Sequence, residues 1–219
     1  MAHDVRGLVL MGGHATRVPN KLFLSTKNGS PLFVQAIMQL RYVRIRPLLC
    51  TNVFLAKPVR QILSSLGYVE NQHYEIHIDD HTGIVPVLNH HLKDSDCVVL
   101  CGDNTYGMRT TSTIRYILNT VWREPQRLTS ICLCSRNETE QLDGAIGVPG
   151  TNLVKWVDRT EEQKDYYLRT PWFLTKGQVE CSNLLELLNT KKAVAWVTED
   201  DEWNDLGTPA KVKAYYHGS

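Results

Sequence analysis

The chain has 219 residues, 42% of them hydrophobic, and its 24 basic and 23 acidic residues leave a formal net charge of +1. That is enough apolar sequence for one domain, 1–219, to bury a sizeable core without staples. A near-neutral chain lacking long runs of one charge argues against nucleic acid or an anionic membrane as its main partner, but not against an anionic small molecule.

The six cysteines, Cys50, Cys97, Cys101, Cys132, Cys134 and Cys181, form no CxxC pair, and most stand in apolar runs. They read as small buried hydrophobes in a reducing compartment. Charged Asp4 and Arg6 precede only a short apolar run, so no signal peptide is expected, and no apolar stretch approaches the ~20 residues of a membrane span. The expected location is the cytoplasm.

In chain order, residues 7–11 form an apolar run that reads as a first buried strand. It breaks at Gly12-Gly13 into a loop carrying Arg17 and Lys21. Glycines at a strand's carboxyl end let backbone N–H groups face an anion closely, and the two cations point to a phosphate-rich ligand. From Pro31, residues Leu32, Phe33, Ala36, Ile37 and Leu40 share one helical face. A strand follows at 48–51, and Val59, Ile62, Leu63 and Leu66 space as a helix closed by Gly67. Alternation at 74–78 predicts a half-buried strand, followed by a turn, 79–83, and a helix over 84–92. Residues 97–101 are uniformly apolar, which suits a central strand, and they end in Gly102-Asp103-Asn104. Ile114, Ile117, Leu118, Val121 and Trp122 predict a helix, and 130–134 a strand. This alternation implies an open, mostly parallel α/β sheet with helices on both faces, in which ligands lie outside the carboxyl ends of the strands.

After Gly144 the rhythm changes. Residues 145–148 and 154–157 flank Gly150-Thr151-Asn152 as a hairpin, and strands are expected at 172–174 and 193–197 with a helical segment at 184–188. A last helix runs from Pro209 to about residue 216, with Thr208 as its cap. The expected organisation is a nucleotide-binding half, 1–135, and a small β-rich acceptor-side half, 136–219.

Asp103 follows a buried strand, and Asp205 stands in a glycine-containing turn before the last helix. Either could be a turn-capping residue. Together with a glycine loop and two cations, they form the set needed for phosphoryl or nucleotidyl transfer, since Mg²⁺ commonly takes one or two protein carboxylates plus substrate phosphates. The glycine loop is neither a P-loop nor a GxGxxG fingerprint, because Ala15 and Val18 occupy the later positions. His81 and His90-His91 lack the i, i+4 pairing of a metal site.

The segment Leu10-Met11-Gly12-Gly13-His14-Ala15-Thr16-Arg17-Val18, with Lys21 after it, resembles the Leu-Ala-Gly-Gly-x-Gly-Thr-Arg-Leu signature of sugar-1-phosphate nucleotidyltransferases. Val99-Leu100-Cys101-Gly102-Asp103-Asn104 resembles their Val-Leu-Gly-Asp-Asn strand end, as found in glucose-1-phosphate thymidylyltransferases. Trp203-Asn204-Asp205-Leu206-Gly207-Thr208-Pro209 is similar to their closing Trp-x-Asp-x-Gly-Thr-Pro. Gly147-Val148 and Val157-Asp158-Arg159 fall where that family has a Phe-Gly-Val strand and a Glu-Lys-Pro turn.

This resemblance implies a Rossmann-like sheet of the nucleotide-diphospho-sugar transferase type and Mg²⁺-dependent transfer of a nucleoside monophosphate from a nucleoside triphosphate to a sugar-1-phosphate. It implies catalytic roles for Arg17, Lys21, Asp103 and Asp205, with the two aspartates holding the metal. Nucleotide contacts would come from Leu10, Gly12, Gly13, Gly83, Gly102 and Asp103, and sugar-phosphate contacts from Gly147, Asp158, Arg159 and Thr170. The partners would be those two substrates, with neither nucleic acid nor membrane, and a homo-oligomer is left open. The chain departs from the family pattern at Ala15, in the short span from Arg17 to Lys21, at Arg159 in place of lysine, and in Asp80-His81-Thr82-Gly83, where a base-reading glutamine is missing. Two alternatives follow: a cytidylyltransferase for another phosphorylated acceptor such as phosphocholine, or a nucleotide-binding homologue without catalysis.

Overall fold

The computed structural model describes residues 5–11, 20–78, 96–119, 130–135, 145–147, 153–156, 173–176, 193–198, 203–206 and 208–217. Side chains are described within 5–11, 20–78 and 98–119 except Ile117, and at Leu206 and residues 208–217; the other strand residues are described by backbone and register. The predicted helices over 84–92 and 184–188, and Trp122, lie outside the described residues.

β1 (Val5–Leu10) opens the chain, with Leu8 and Val9 fully buried. Burial on both faces is what a continuous apolar run without alternation requires. A single 3₁₀ turn, Lys21–Phe23, leads through a small hairpin to α1 (Leu32–Tyr42), with Pro31 as its N-cap. Then come β2 (Pro47–Thr51), α2 (Val53–Ser65), β3 (Glu75–Ile78), β4 (Asp96–Cys101), β5 (Asn104–Tyr106) and α3 (Met108–Asn119). In the second half, β6 (Ser130–Ser135), β7 (Ala145–Gly147), β8 (Leu153–Trp156), β9 (Phe173–Lys176), β10 (Ala193–Thr198) and β11 (Trp203–Asp205) precede the last helix, α4 (Pro209–His217).

Nine strands join one sheet in the order β3-β2-β1-β4-β9-β6-β10-β8-β7. β3, β2, β1 and β4 are mutually parallel, which is the predicted doubly wound half. β9 then enters antiparallel to both β4 and β6, and β10 runs parallel to β6. The expected 145–157 hairpin is present as β7 and β8, with β8 antiparallel to β10. The sheet is therefore parallel where the first half builds it and mixed beyond.

The apolar stripe of α1, with Phe33, Ala36, Ile37 and Leu40 all fully buried, joins one cluster with Val9, Leu49, Val98 and Leu100 of the sheet. Complete burial of a Phe, Ile or Leu side chain is worth about 1.5–3 kcal/mol, so this stripe fixes α1 over the β1–β4 strands.

Two helices start earlier than the apolar spacing predicts. α2 begins six residues before Val59, because Asn52 Oδ1 accepts hydrogen bonds from Phe54 and Leu55 N–H (3.1 and 3.0 Å). Pro58 sits inside it and removes only a bond to the first turn, where Phe54 is exposed to water. The first turns of α3 bury Thr110 and Thr113, polar residue types that an apolar count passes over. The predicted caps hold: Gly67 ends α2 at φ +80°, and Thr208 Oγ1 accepts from Lys211 N–H at the start of α4 (3.3 Å). Cys50 and Cys101 are buried, and no helix among the described residues is long and apolar enough to cross a membrane.

The connection from α2 to β3 is tied back to α2 by a fork of Arg60 on Glu70 (Nε–Oε2 2.8 Å, Nη2–Oε1 3.1 Å), and these hydrogen bonds hold the Glu70 carboxyl below its ordinary pKa. A carboxyl lowered on folding adds stability above its unfolded value, about 4.3, and that stability is lost as pH falls through the folded value. Both side chains are partly exposed, so the pair contributes no more than about 1 kcal/mol. Glu70→Gln should therefore lower the thermal midpoint slightly at pH 7, and the gap from the parent protein should close below about pH 4.

Candidate functional site

The carboxyl end of β4 gathers the residues that the sequence singles out. Cys101 ends the strand, and Gly102-Asp103 turns the chain straight into β5. Gly102 N–H continues the ladder onto Leu10 C=O (2.9 Å), so Leu10 and Gly102 meet across β1 and β4. A Cβ at Gly102 would lie 2.9 Å from Met11 Cγ, 3.2 Å from Leu22 Cδ2 and 3.3 Å from Phe33 Cβ. Glycine is needed here because the strand end is pressed against the Lys21 turn and α1.

That close approach places Asp103 over Lys21. Lys21 Nζ lies 3.0 Å from Asp103 Oδ2, with the lysine side chain 6% exposed and the aspartate 42%. Lysine is rarely buried without a partner, because its ammonium loses its hydration. Asn20 just before it takes a left-handed conformation (φ 55°, ψ 23°), which turns the chain so that Lys21 points inward. The result is a sequestered cation bonded to an accessible carboxylate at a sheet edge that faces solvent.

Asp205 reaches the same place through a second, two-stranded sheet. β11 pairs antiparallel with β5, in the register Trp203–Tyr106, Asn204–Thr105 and Asp205–Asn104. Directly opposed Cα atoms in such a pair lie about 4.5–5.5 Å apart, so the Asp205 backbone stands across from the residue after Asp103. Two carboxylate-bearing positions distant in sequence thus become neighbours. Among the described residues no group of three potential metal-ligating side chains forms.

The Asp103 turn is clamped from below. Tyr106, 5% exposed, accepts a hydrogen bond from Cys101 N–H and donates to Cys101 C=O, both at 2.9 Å. It therefore closes the Gly102–Thr105 loop on itself. Burial, with the nearby Cys101 thiol and Asp103 carboxylate adding to it, pushes the Tyr106 phenol well above its usual pKa, so it stays a neutral donor. Gln35 Oε1 accepts from Tyr106 N–H (3.1 Å), Gln39 Nε2 donates to Gly107 C=O (3.2 Å), and Thr111 Oγ1 donates to Gln39 Oε1. Sequence reasoning missed this set. A signal existed in Gln35 and Gln39, which stand four residues apart on a helix whose other inward positions are apolar.

Of the remaining predicted site residues, Gly147 ends β7 opposite Val154, on the outermost hairpin of the sheet. Gly12, Gly13, Arg17, Gly83, Asp158, Arg159 and Thr170 lie outside the described residues, as do Ala15 and the histidines at 81, 90 and 91. The structure thus brings together Leu10, Lys21, Gly102, Asp103 and the backbone of Asp205.

No protein-family model and no curated protein sequence matches the chain. Solved structures do. A protein assigned as a glucose-1-phosphate thymidylyltransferase from Bacillus anthracis, crystallised with sucrose, superposes with a TM-score of 0.64 at 17% identity, over 97% of this chain and 94% of that one. A UDP-glucose pyrophosphorylase from Acinetobacter baumannii gives 0.62 at 12% identity, over 97% and 92%. Both are sugar-1-phosphate nucleotidyltransferases by these descriptions, and the chain shares their fold along nearly its whole length.

The tyrosine clamp is open to direct measurement. Tyr106→Phe removes one hydroxyl and leaves a buried N–H and C=O of Cys101 without their partner. Denaturant unfolding should show a loss of about 1–3 kcal/mol, with an unchanged denaturant slope.

Proposed function

We propose that the chain transfers a nucleoside monophosphate from a nucleoside triphosphate to a sugar-1-phosphate, releasing pyrophosphate. The observation that carries this reading is the Lys21–Asp103 contact at the carboxyl end of β4, with Asp205 brought alongside by β5–β11 pairing. It lies on a fold shared with two nucleotidyltransferases.

In this reading a phosphate oxygen of the sugar-1-phosphate attacks the α-phosphorus in line, and the bond from that phosphorus to the β-phosphate bridging oxygen breaks. No covalent enzyme intermediate is needed; the protein positions the reactants and neutralises charge. Without substrate, Lys21 and Asp103 neutralise each other. When the triphosphate binds, the Lys21 ammonium turns to the transferring phosphate, which leaves the accessible Asp103 carboxylate able to hold a divalent cation. Asp103 and Asp205 fit Mg²⁺, which takes one or two protein carboxylates and completes its shell with water and phosphate. Bound there, it would supply charge neutralisation at the phosphates. Arg17 is assigned to the leaving β- and γ-phosphates, Gly12, Gly13 and Gly83 to the nucleotide, and Gly147, Asp158, Arg159 and Thr170 to the sugar phosphate. Residues 1–135 form the nucleotide half and 136–219 the acceptor half. Cys50 and Cys101, both buried, suit a reducing cytoplasm.

Pyrophosphate release should be measured over a matrix of nucleoside triphosphates and sugar-1-phosphates, with Mg²⁺ and with chelator. One pair should turn over and chelator should abolish it; no release from any pair, despite triphosphate binding, overturns the transferase reading. Lys21→Gln should lower kcat by about 10²–10³-fold, as expected on removing one group that stabilises transition-state charge. Asp205→Asn should reduce turnover far more than nucleotide affinity, and equal losses in both would remove its metal role.

A further inference from the structure

The buried hydroxyl of Thr51 is unaccounted for by the fold. Thr51 is the last residue of β2 and is 1% exposed, yet among the described residues its Oγ1 has no hydrogen-bond partner. A buried polar atom left unpaired costs about 1–3 kcal/mol, so a native structure rarely keeps one without a use. The oxygen of the adjacent polar side chain is already engaged, since Asn52 Oδ1 accepts from the N–H groups of Phe54 and Leu55.

The position of this hydroxyl supplies a use. β2 lies between β3 and β1, with Thr51 in register with Ile78 at the end of β3. On its other side Met11 N–H bonds Cys50 C=O (2.8 Å), so Met11, the last described residue before Gly12, stands beside Thr51. A ligand lying across the carboxyl ends of β1 and β3 therefore passes over Thr51, on the edge where open α/β sheets bind ligands. Exposed apolar residues stand near it in chain and register: Ile78, opposite Thr51 on β3, is 43% exposed, and Val53 and Phe54, at the start of α2, are 56% and 86% exposed. Exposed apolar side chains beside a hydroxyl suit a flat heteroaromatic ring with hydrogen-bonding edges better than a phosphate.

The sheet order also sets the spacing. The Lys21–Asp103 pair stands at the end of β4, and β1 separates β4 from β2. Two strand spacings amount to about 9–10 Å, the scale of a nucleoside. With phosphates at Lys21, the base falls over β2.

We propose that Thr51 reads the nucleobase of the bound nucleotide, its hydroxyl hydrogen-bonding the ring edge. This rests on the nucleotidyltransferase reading and names a specificity-determining residue for it. Affinities of ATP, CTP, GTP, UTP and dTTP are measured by calorimetry on the full-length protein, alongside thermal midpoints without ligand, for the parent, Thr51→Val and Thr51→Ser. Valine keeps the shape and removes the hydroxyl. It should weaken the preferred triphosphate about tenfold and narrow its lead over the others, with a ligand-free midpoint unchanged or higher. Serine should retain most of the preference. If valine binds all five triphosphates as the parent does, the proposal falls while the nucleotidyltransferase reading stands. A uniform loss across the five accompanied by a lower midpoint assigns Thr51 a structural role and also overturns it. If the parent binds none of the five, both readings fall together.

Discussion

The buried ammonium of Lys21 is the constraint from which much of this structure follows. A lysine that is 6% exposed must find a counter-charge, and Asp103 is the acid that meets it. For that carboxylate to arrive, β4 must end hard against the Lys21 turn, and only a residue without a Cβ fits between Met11, Leu22 and Phe33. Gly102 is thus fixed by packing, whatever else it contacts. The turn must also stop drifting once it has formed. The Tyr106 hydroxyl, bonded to both polar groups of Cys101, and the two glutamines of α1 hold it from beneath.

This arrangement makes the acidic edge a product of two independent supports. α1 anchors the end of β5 by hydrogen bonds to Tyr106 and Gly107, while β11 anchors β5 by backbone pairing. α4 adds a third tie, since Tyr215 OH accepts from Lys27 N–H (3.2 Å) and Tyr216 OH donates to Ser25 C=O, on the hairpin just after the Lys21 turn. The helix that follows Asp205 in sequence therefore grips the segment that follows Lys21. Cation and carboxylate positions are referred to one another through the backbone as well as through their charges.

The sheet shows a similar division between local and distant causes. Its four parallel strands come from segments whose apolar runs, caps and turns agree with one another, which is the consistency expected of a sequence that specifies its fold locally. β9 is different. A four-residue strand from the second half separates β4 from β6 and pairs antiparallel with both. Nothing in the residues 173–176 announces which strands they join, because strand partners are chosen by shape and burial across the whole sheet.

What the sequence determined by itself were features settled within a few residues. These are the buried strand ending in Gly102-Asp103, the apolar stripe of α1, the closing glycine of α2, and the Thr208 cap with the Pro209 start of α4. The four family-like blocks then supplied an expectation of fold that the structural likeness bears out over 97% of the chain. The tertiary structure decided what is joined across long separations. Lys21 and Asp103 are 82 residues apart, the Asp205 backbone comes opposite Asn104 only through three-residue strands too short to announce themselves, and the Thr51 hydroxyl, unpaired among the described residues, is visible only once the chain is folded. Local chemistry writes caps, turns and stripes into adjacent residues; charge pairing and unmet hydrogen bonds depend on what folding brings near, and no local spacing encodes that.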